Sequence, residues 1–168
     1  MTNTNVIEKG MKARFEEAQK IESFVKGQAF EDYVRAEIFT KEYYAQVERT
    51  HGYEMNSKDF VESSLNPDFK LRDLATKKEF WLEVKFRRLV RKGRVKWCKE
   101  YQLRRYLSFS KETPMFILLG VGGNPEAPAA VYLIPMEQVK FSSLFITTLK
   151  RYEISRGQSI TSRLLWYR

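Results

Sequence analysis

Asp68, Glu83 and Lys85 are two carboxylates and an ammonium spaced so that one β-hairpin would bring them to a shared polar surface. Carboxylate oxygens suit a hard divalent cation such as Mg²⁺, which keeps several waters and bridges substrate phosphates; Mn²⁺ accepts the same oxygen donors. A cation so held lowers the pKa of its bound water and makes a nucleophile of it. A nearby lysine orients that water or offsets developing negative charge.

The hairpin is legible around these residues. Phe80, Leu82, Val84 and Phe86 alternate with Trp81, Glu83, Lys85 and Arg87, the period of a strand with one buried face. Ala75-Thr76-Lys77-Lys78 separates this run from the earlier one within Asn66–Asp73 and reads as the turn of a hairpin that would place Asp68 on the strand beside Glu83 and Lys85. A solvated strand face with Glu and Lys two residues apart would show the same pattern. With 21 acidic residues and 16 lysines, about two acidic-x-Lys triplets are expected by chance; the chain has two, Asp68-x-Lys70 and Glu83-x-Lys85, so the triplet alone decides nothing.

The wider context carries more. Pro67-Asp68, a hairpin's length, then Glu83-Val84-Lys85 on a strand resembles the PD-(D/E)XK nuclease superfamily. The resemblance implies an α/β restriction-endonuclease-like core, a central mixed sheet flanked by helices in the order α-β-β-β-α-β-β, here with an extra N-terminal helix. It implies Asp68, Glu83 and the Val84 carbonyl as metal ligands, Lys85 as the residue that positions water, and Mg²⁺ or Mn²⁺ as cofactor. Glu31 shares a helical stripe with Phe24, Gly27, Val34 and Ile38. A carboxylate there is costly unless paired, protonated or metal-bound, or unless it reaches solvent from the boundary. The resemblance adds Glu31 to the catalytic and metal-binding set. Gln102-x-x-x-Tyr106, on the helix expected after Lys85, is similar to a motif of the exonuclease domains of bacterial recombination and repair helicase–nucleases. These signals stand in the family's order, and the resemblance spans roughly residues 21–135.

Charge is concentrated in the same region. Residues 85–105 hold ten Lys or Arg against one acid, Glu100, and carry the whole net charge of +9. The block is interleaved with Phe86, Val90, Trp97, Tyr101 and Tyr106, the footprint of a phosphate-backbone binder. Arg87, Arg88, Arg91, Lys92, Arg94, Lys96, Lys99 and Arg105 are the expected nucleic-acid contacts, with Gln102 and Tyr106 beside them. A solubilising surface or an anionic membrane patch would have the same composition.

Elsewhere, Val6, Ile7, Met11, Phe15, Ala18, Ile21 and Val25 recur at helical spacing and predict an amphipathic helix packed on its own domain or on a partner subunit. Gly27 is expected to mark either a break or close helix packing, with the helical pattern resuming through Phe30, Tyr33, Val34 and Ile38. Tyr43–Glu48 reads as a strand, 50–66 as an irregular loop carrying His51, Asp59 and Glu62, and Asp73 as a solvated hairpin end. The β-run through Lys85 is expected to continue to Val90, turn at Arg91-Lys92-Gly93-Arg94 and return through Val95–Trp97. A helix over Cys98–Phe109, strands at Met115–Val121 and Ala129–Ile134, a Gly122-Gly123 turn and a short helix from Pro135 to Val139 follow. One domain is expected: an extension at 6–20, a core at 21–135, and a helix and tail at 136–168.

With 43% apolar residues the chain is expected to fold into a globule. The single cysteine, Cys98, excludes an internal disulfide and reads as a packed residue, since one histidine is the only candidate to activate it. No apolar run spans a bilayer and no Lys-Ser/Thr follows the glycines, so a membrane protein and a phosphate-loop nucleotide binder are not expected. The expectation is a cytoplasmic, metal-dependent deoxyribonuclease, acting as a homodimer or within a larger nuclease assembly. The alternatives are a non-catalytic nucleic-acid-binding module and an interaction protein with an acidic partner.

Overall fold

Apolar residues on both faces of the central strands dictate a sheet that must be covered on both sides. The computed structural model describes residues 3–50 and 65–167, with side chains from residue 8 onward. His51, Asp59 and Glu62 lie outside the described residues. Helix α1 (Asn3–Tyr33) closes in a π-helical turn, Val34–Ile38, and leads to β1 (Tyr44–Arg49). Strands β2 (Phe69–Asp73), β3 (Glu79–Arg87) and β4 (Arg94–Lys96) precede α2 (Glu100–Glu112). Then come β5 (Met115–Asn124), β6 (Ala127–Pro135), β7 (Ser143–Phe145), α3 (Ile146–Leu149), β8 (Glu153–Ile154) and α4 (Ser162–Trp166).

The main sheet has the order β1-β2-β3-β5-β6-β8, and β4 pairs with β7 in a separate two-stranded ribbon. Within the main sheet β3 and β5 run parallel and the other neighbours antiparallel, so the sheet is mixed. The parallel pair needs a crossover, and β4 with α2 supplies it. This is the predicted α-β-β-β-α-β-β order, with the expected short strand near Val95 present as β4 and the expected extra N-terminal helix continuous with the first core helix as α1.

Alternation sorts the core. Phe80, Leu82 and Val84 of β3 join Phe116, Leu118, Val131 and Leu133 against Phe30, Val34 and Ile38 of the first helix. Trp81 joins Ile117, Leu119, Tyr132 and Ile134 on the opposite face, against Leu103 and Tyr106 of α2. Gly120 permits the closest approach of α1: a Cβ there would lie 2.6 Å from the Phe30 ring. The expectation of one buried face on β3 is therefore corrected, because α2 covers the face that carries Glu83.

Other expectations change for similar tertiary reasons. Helix α1 runs through Gly27 without a break. β3 ends at Arg87, and Leu89 and Val90 are exposed. Arg91-Lys92-Gly93-Arg94 is the predicted turn, with reciprocal Arg91–Arg94 backbone bonds and φ of 50° and 70° at Lys92 and Gly93. β4 leaves this turn for β7 rather than returning to β3. Gly122 and Gly123 stay within β5, and the turn to β6 falls at Pro125-Glu126. Asp73, expected in solvent, is fully buried. In the tail Leu165 packs into the core while Phe141 and Phe145 are exposed.

Candidate catalytic site and basic face

The site forms where the β2–β3 ladder stops. The register Phe69↔Leu82 is the last pair, whereas β3 continues beside β5 as far as Arg87. Asp68 stands one residue beyond that ladder, and its Oδ2 accepts the Val84 N–H at 2.7 Å in place of a backbone carbonyl. The loop before it is held as well: the Thr50 N–H donates to the Asp68 carbonyl (2.9 Å) and the Thr50 hydroxyl to the Pro67 carbonyl (2.8 Å). Local chemistry thus fixes the Pro67-Asp68 pair against the middle of β3.

Glu83 is buried on the α2 side of the sheet. Its Oε1 accepts the Tyr106 hydroxyl at 2.5 Å and is ion-paired with the Lys85 ammonium. Its Oε2 is buried and has no hydrogen-bond partner. Burial opposes the Lys85 charge, but the Glu83 and Asp68 carboxylates overrule it and hold the ammonium protonated well above its ordinary range. Burial and the Glu83 charge push the Tyr106 phenol up, so it remains a donor. Asp68 is pushed up to about 8, first by burial and then by Glu83, with Lys85 and the Val84 N–H pulling the other way. Burial likewise raises Glu31, although Arg49 opposes it.

The structure thus brings Asp68, Glu83, Lys85 and Tyr106 together. Glu31 approaches from α1 and is engaged by Arg49 at 3.3 Å. Arg49 also pairs with Asp32 (3.1 Å) and lies 5.3 Å above the Phe69 ring. The sequence carried no signal for that clamp, because Arg49 is one of many surface-type arginines. Nor did it mark Trp97 as a support: fully buried, Trp97 stacks on Tyr106 with ring centroids 5.8 Å apart.

The predicted nucleic-acid contacts divide into two groups. Arg87 is spent internally, donating to the backbone carbonyls of Phe86 (2.8 Å), Lys96 (2.9 Å) and Trp97, and so ties β4 to the end of β3. Gln102 accepts the Lys99 N–H at 3.0 Å and caps α2. Tyr106 is buried under Glu83, and Arg105 is half-buried 5.4 Å over the Tyr106 ring. Arg88, Arg91, Lys92, Arg94, Lys96 and Lys99 are exposed, with Arg94 stacked 3.9 Å over Phe145. Cys98 is buried beside this ribbon and its thiol is pushed up to about 12 by burial, the condition of an inert packed residue.

A bare carboxylate oxygen in a desolvated setting demands a partner. Glu83 Oε2, beside Asp68, is such an oxygen and suits a hard cation. Among the described residues no three His, Cys, Asp or Glu side chains stand close enough to hold a metal by themselves. A Mg²⁺ site commonly uses one or two protein carboxylates and completes its shell with waters and substrate phosphates, so the Asp68/Glu83 donor set fits that pattern.

No family model matches the chain, and no curated protein matches it. Among solved structures the chain is similar to a 1.6 Å structure of Archaeoglobus fulgidus Hjc, a Holliday junction resolvase from an archaeal hyperthermophile. The identity is 12% and the TM-score 0.45, over 86% of this chain and 96% of that one, a likeness too slight to carry an argument about activity.

Proposed function

We propose that this chain is a metal-dependent nuclease that hydrolyses phosphodiester bonds in DNA. The observation that carries the reading is the buried Glu83 carboxylate, one oxygen held by Lys85 and Tyr106 and the other left without a partner. Asp68, Glu83 and the Val84 carbonyl are the residues that would hold Mg²⁺ or Mn²⁺, with Glu31 joining from α1. The cation, when bound, supplies Lewis-acid polarisation of the phosphate and an acidified water.

The chain's own residues do the rest. Lys85 orients the attacking water and offsets the negative charge that builds on the phosphate oxygens. Tyr106 fixes the Glu83 rotamer from beneath, and Trp97 in turn braces Tyr106. Water oxygen bonds to phosphorus, the P–O bond to the leaving strand breaks, and the leaving oxygen takes up a proton. Arg88, Arg91, Lys92, Lys96 and Lys99, at the mouth of the same crossover, hold the strand by its phosphates, which positions DNA without reading its bases.

A second reading, a nucleic-acid-binding module without cleavage, is favoured by one observation: Glu31 is engaged by Arg49 rather than released toward Glu83. One experiment separates the two. Wild type, Glu83→Gln and Lys85→Ala are incubated with linear, circular, single-stranded and branched DNA and with RNA, in Mg²⁺, Mn²⁺ or EDTA. The nuclease reading expects metal-dependent cutting by wild type, loss of cutting in both variants, and binding retained in all three. DNA bound but uncut by wild type under every condition supports the binding module instead.

A further inference from the structure

We propose that the free half of α1 forms an antiparallel helix pair with the same segment of a second copy of this chain. The helix is anchored at its C-terminal end, where Phe30 and Val34 are fully buried, but residues 8–23 are exposed throughout. That free stretch is about 24 Å long. Its apolar side chains are not scattered: Met11 is 67% exposed, Phe15 65%, Ile21 59% and Val25 58%. With Ala18 among them they recur three or four residues apart, which gathers them into one stripe. A contiguous apolar stripe exposed along the free half of a helix calls for a cover.

The charges beside the stripe identify the cover. Glu8, Lys12, Phe15, Gln19, Glu22 and Lys26 follow one another at alternating spacings of four and three, forming a single row along one edge of the stripe. In an antiparallel pair related by a two-fold axis, this row faces its own copy across the seam. Glu8 then meets Lys26, Lys12 meets Glu22, and Phe15 meets Gln19, each pair occurring twice. A parallel pair would instead set this row against the opposite edge of the partner's stripe, so only the antiparallel arrangement uses its self-complementarity. Within one chain Glu22 is already ion-paired with Lys26, but that is a surface i,i+4 contact of small energy, and re-pairing across the seam costs little. Ala18, near the middle, lets the two backbones approach. The row is thus complementary to itself, and the occupant of the stripe is another copy of this chain.

The test reads mass and is independent of whether the chain cuts DNA. Sedimentation velocity of wild type across about 1–100 μM, the range expected for a short helix pair, should show a concentration-dependent dimer of twice the 20.0 kDa chain mass. Lys12→Glu/Lys26→Glu makes the row wholly acidic, and Glu8→Lys/Glu22→Lys makes it wholly basic. Each double variant alone should be monomeric with an unchanged circular dichroism spectrum, because each row repels its copy. An equimolar mixture of the two should recover the dimer as a heterodimer. A second probe, Phe15→Asp, should weaken association at least tenfold. Wild type monomeric throughout overturns the proposal. So does a dimer that both charge variants retain, or a mixture that stays monomeric.

Discussion

Two buried carboxylates sit near opposite ends of the β2–β3 hairpin and are treated in opposite ways. Asp73, by the turn, accepts from the backbone N–H groups of Ala75 (2.9 Å) and Thr76 (3.4 Å) and from the hydroxyls of Thr76 (2.8 Å) and Ser162 (2.6 Å). The Trp166 indole completes its set at 2.7 Å. Burial alone would raise its pKa, yet these donors carry it down to about 2. Glu83 has a lysine and a tyrosine on one oxygen and nothing on the other, and Asp68 beside it is driven up to about 8. Neutral dipoles that fully satisfy a charge stabilise a fold and leave it nothing to offer a ligand. A charge left half-satisfied is costly to the fold and available to chemistry, as sites under functional constraint tend to be.

The contrast is tested first at its sharpest point. Glu83→Gln should cut cleavage by about 10²–10⁴-fold while changing unfolding free energy by less than about 1.5 kcal/mol. Single-turnover cleavage and urea denaturation of the same preparation measure both. If the variant instead unfolds, Glu83 belongs with Asp73 as a structural residue. Asp73→Ala should do the reverse, losing about 3 kcal/mol as the α4 segment loses its hold on the hairpin turn. Any cleavage activity should persist in the fraction that stays folded.

Acid sharpens the comparison further. The folded pKa of Asp73 lies below the ordinary 3.8, so its stabilisation is complete above that value and disappears as pH falls through about 2. It amounts to about 2 kcal/mol. Wild type should lose that increment between about pH 4 and pH 2 in urea titrations, and Asp73→Asn should lack that part of the pH dependence. A smaller effect is expected of Tyr106→Phe, which removes one of the two groups on Glu83 Oε1. Lys85 remains, so cleavage should fall about tenfold and the fold should persist. Smallest per residue are the exposed cations: Arg88→Ala, Arg91→Ala and Lys92→Ala together should lower the salt slope of DNA binding by up to about 3, near one unit for each phosphate no longer neutralised. An unchanged slope would mean that DNA does not follow this face.

Much of this was legible in the sequence because it depends on local pattern. The period of two from Phe80 to Phe86 sets β3 with Glu83 and Lys85 on it, and helical spacing marks α2 and the stretches that join as α1, while the element order is what the family resemblance implies. The Arg91–Arg94 turn was legible for the same reason, since its glycine and backbone demand are written in four consecutive residues. What escaped the sequence was every feature made by residues far apart in the chain. Asp73 is buried because Ser162 and Trp166 close over it, and nothing between residues 65 and 85 announces them. Gln102 and Tyr106 share a helix face by spacing alone, but only the packing of α2 on the sheet turns the tyrosine inward to Glu83 and leaves the glutamine as a cap. Arg87 and Arg88 are adjacent and chemically alike; the path of β4 spends one on backbone carbonyls and leaves the other in solvent. Sequence determined which groups lie on which element and face, because backbone periodicity is a local property. Tertiary structure alone decided which buried charges were satisfied, because partners and desolvation come from segments that meet only when the chain closes on itself.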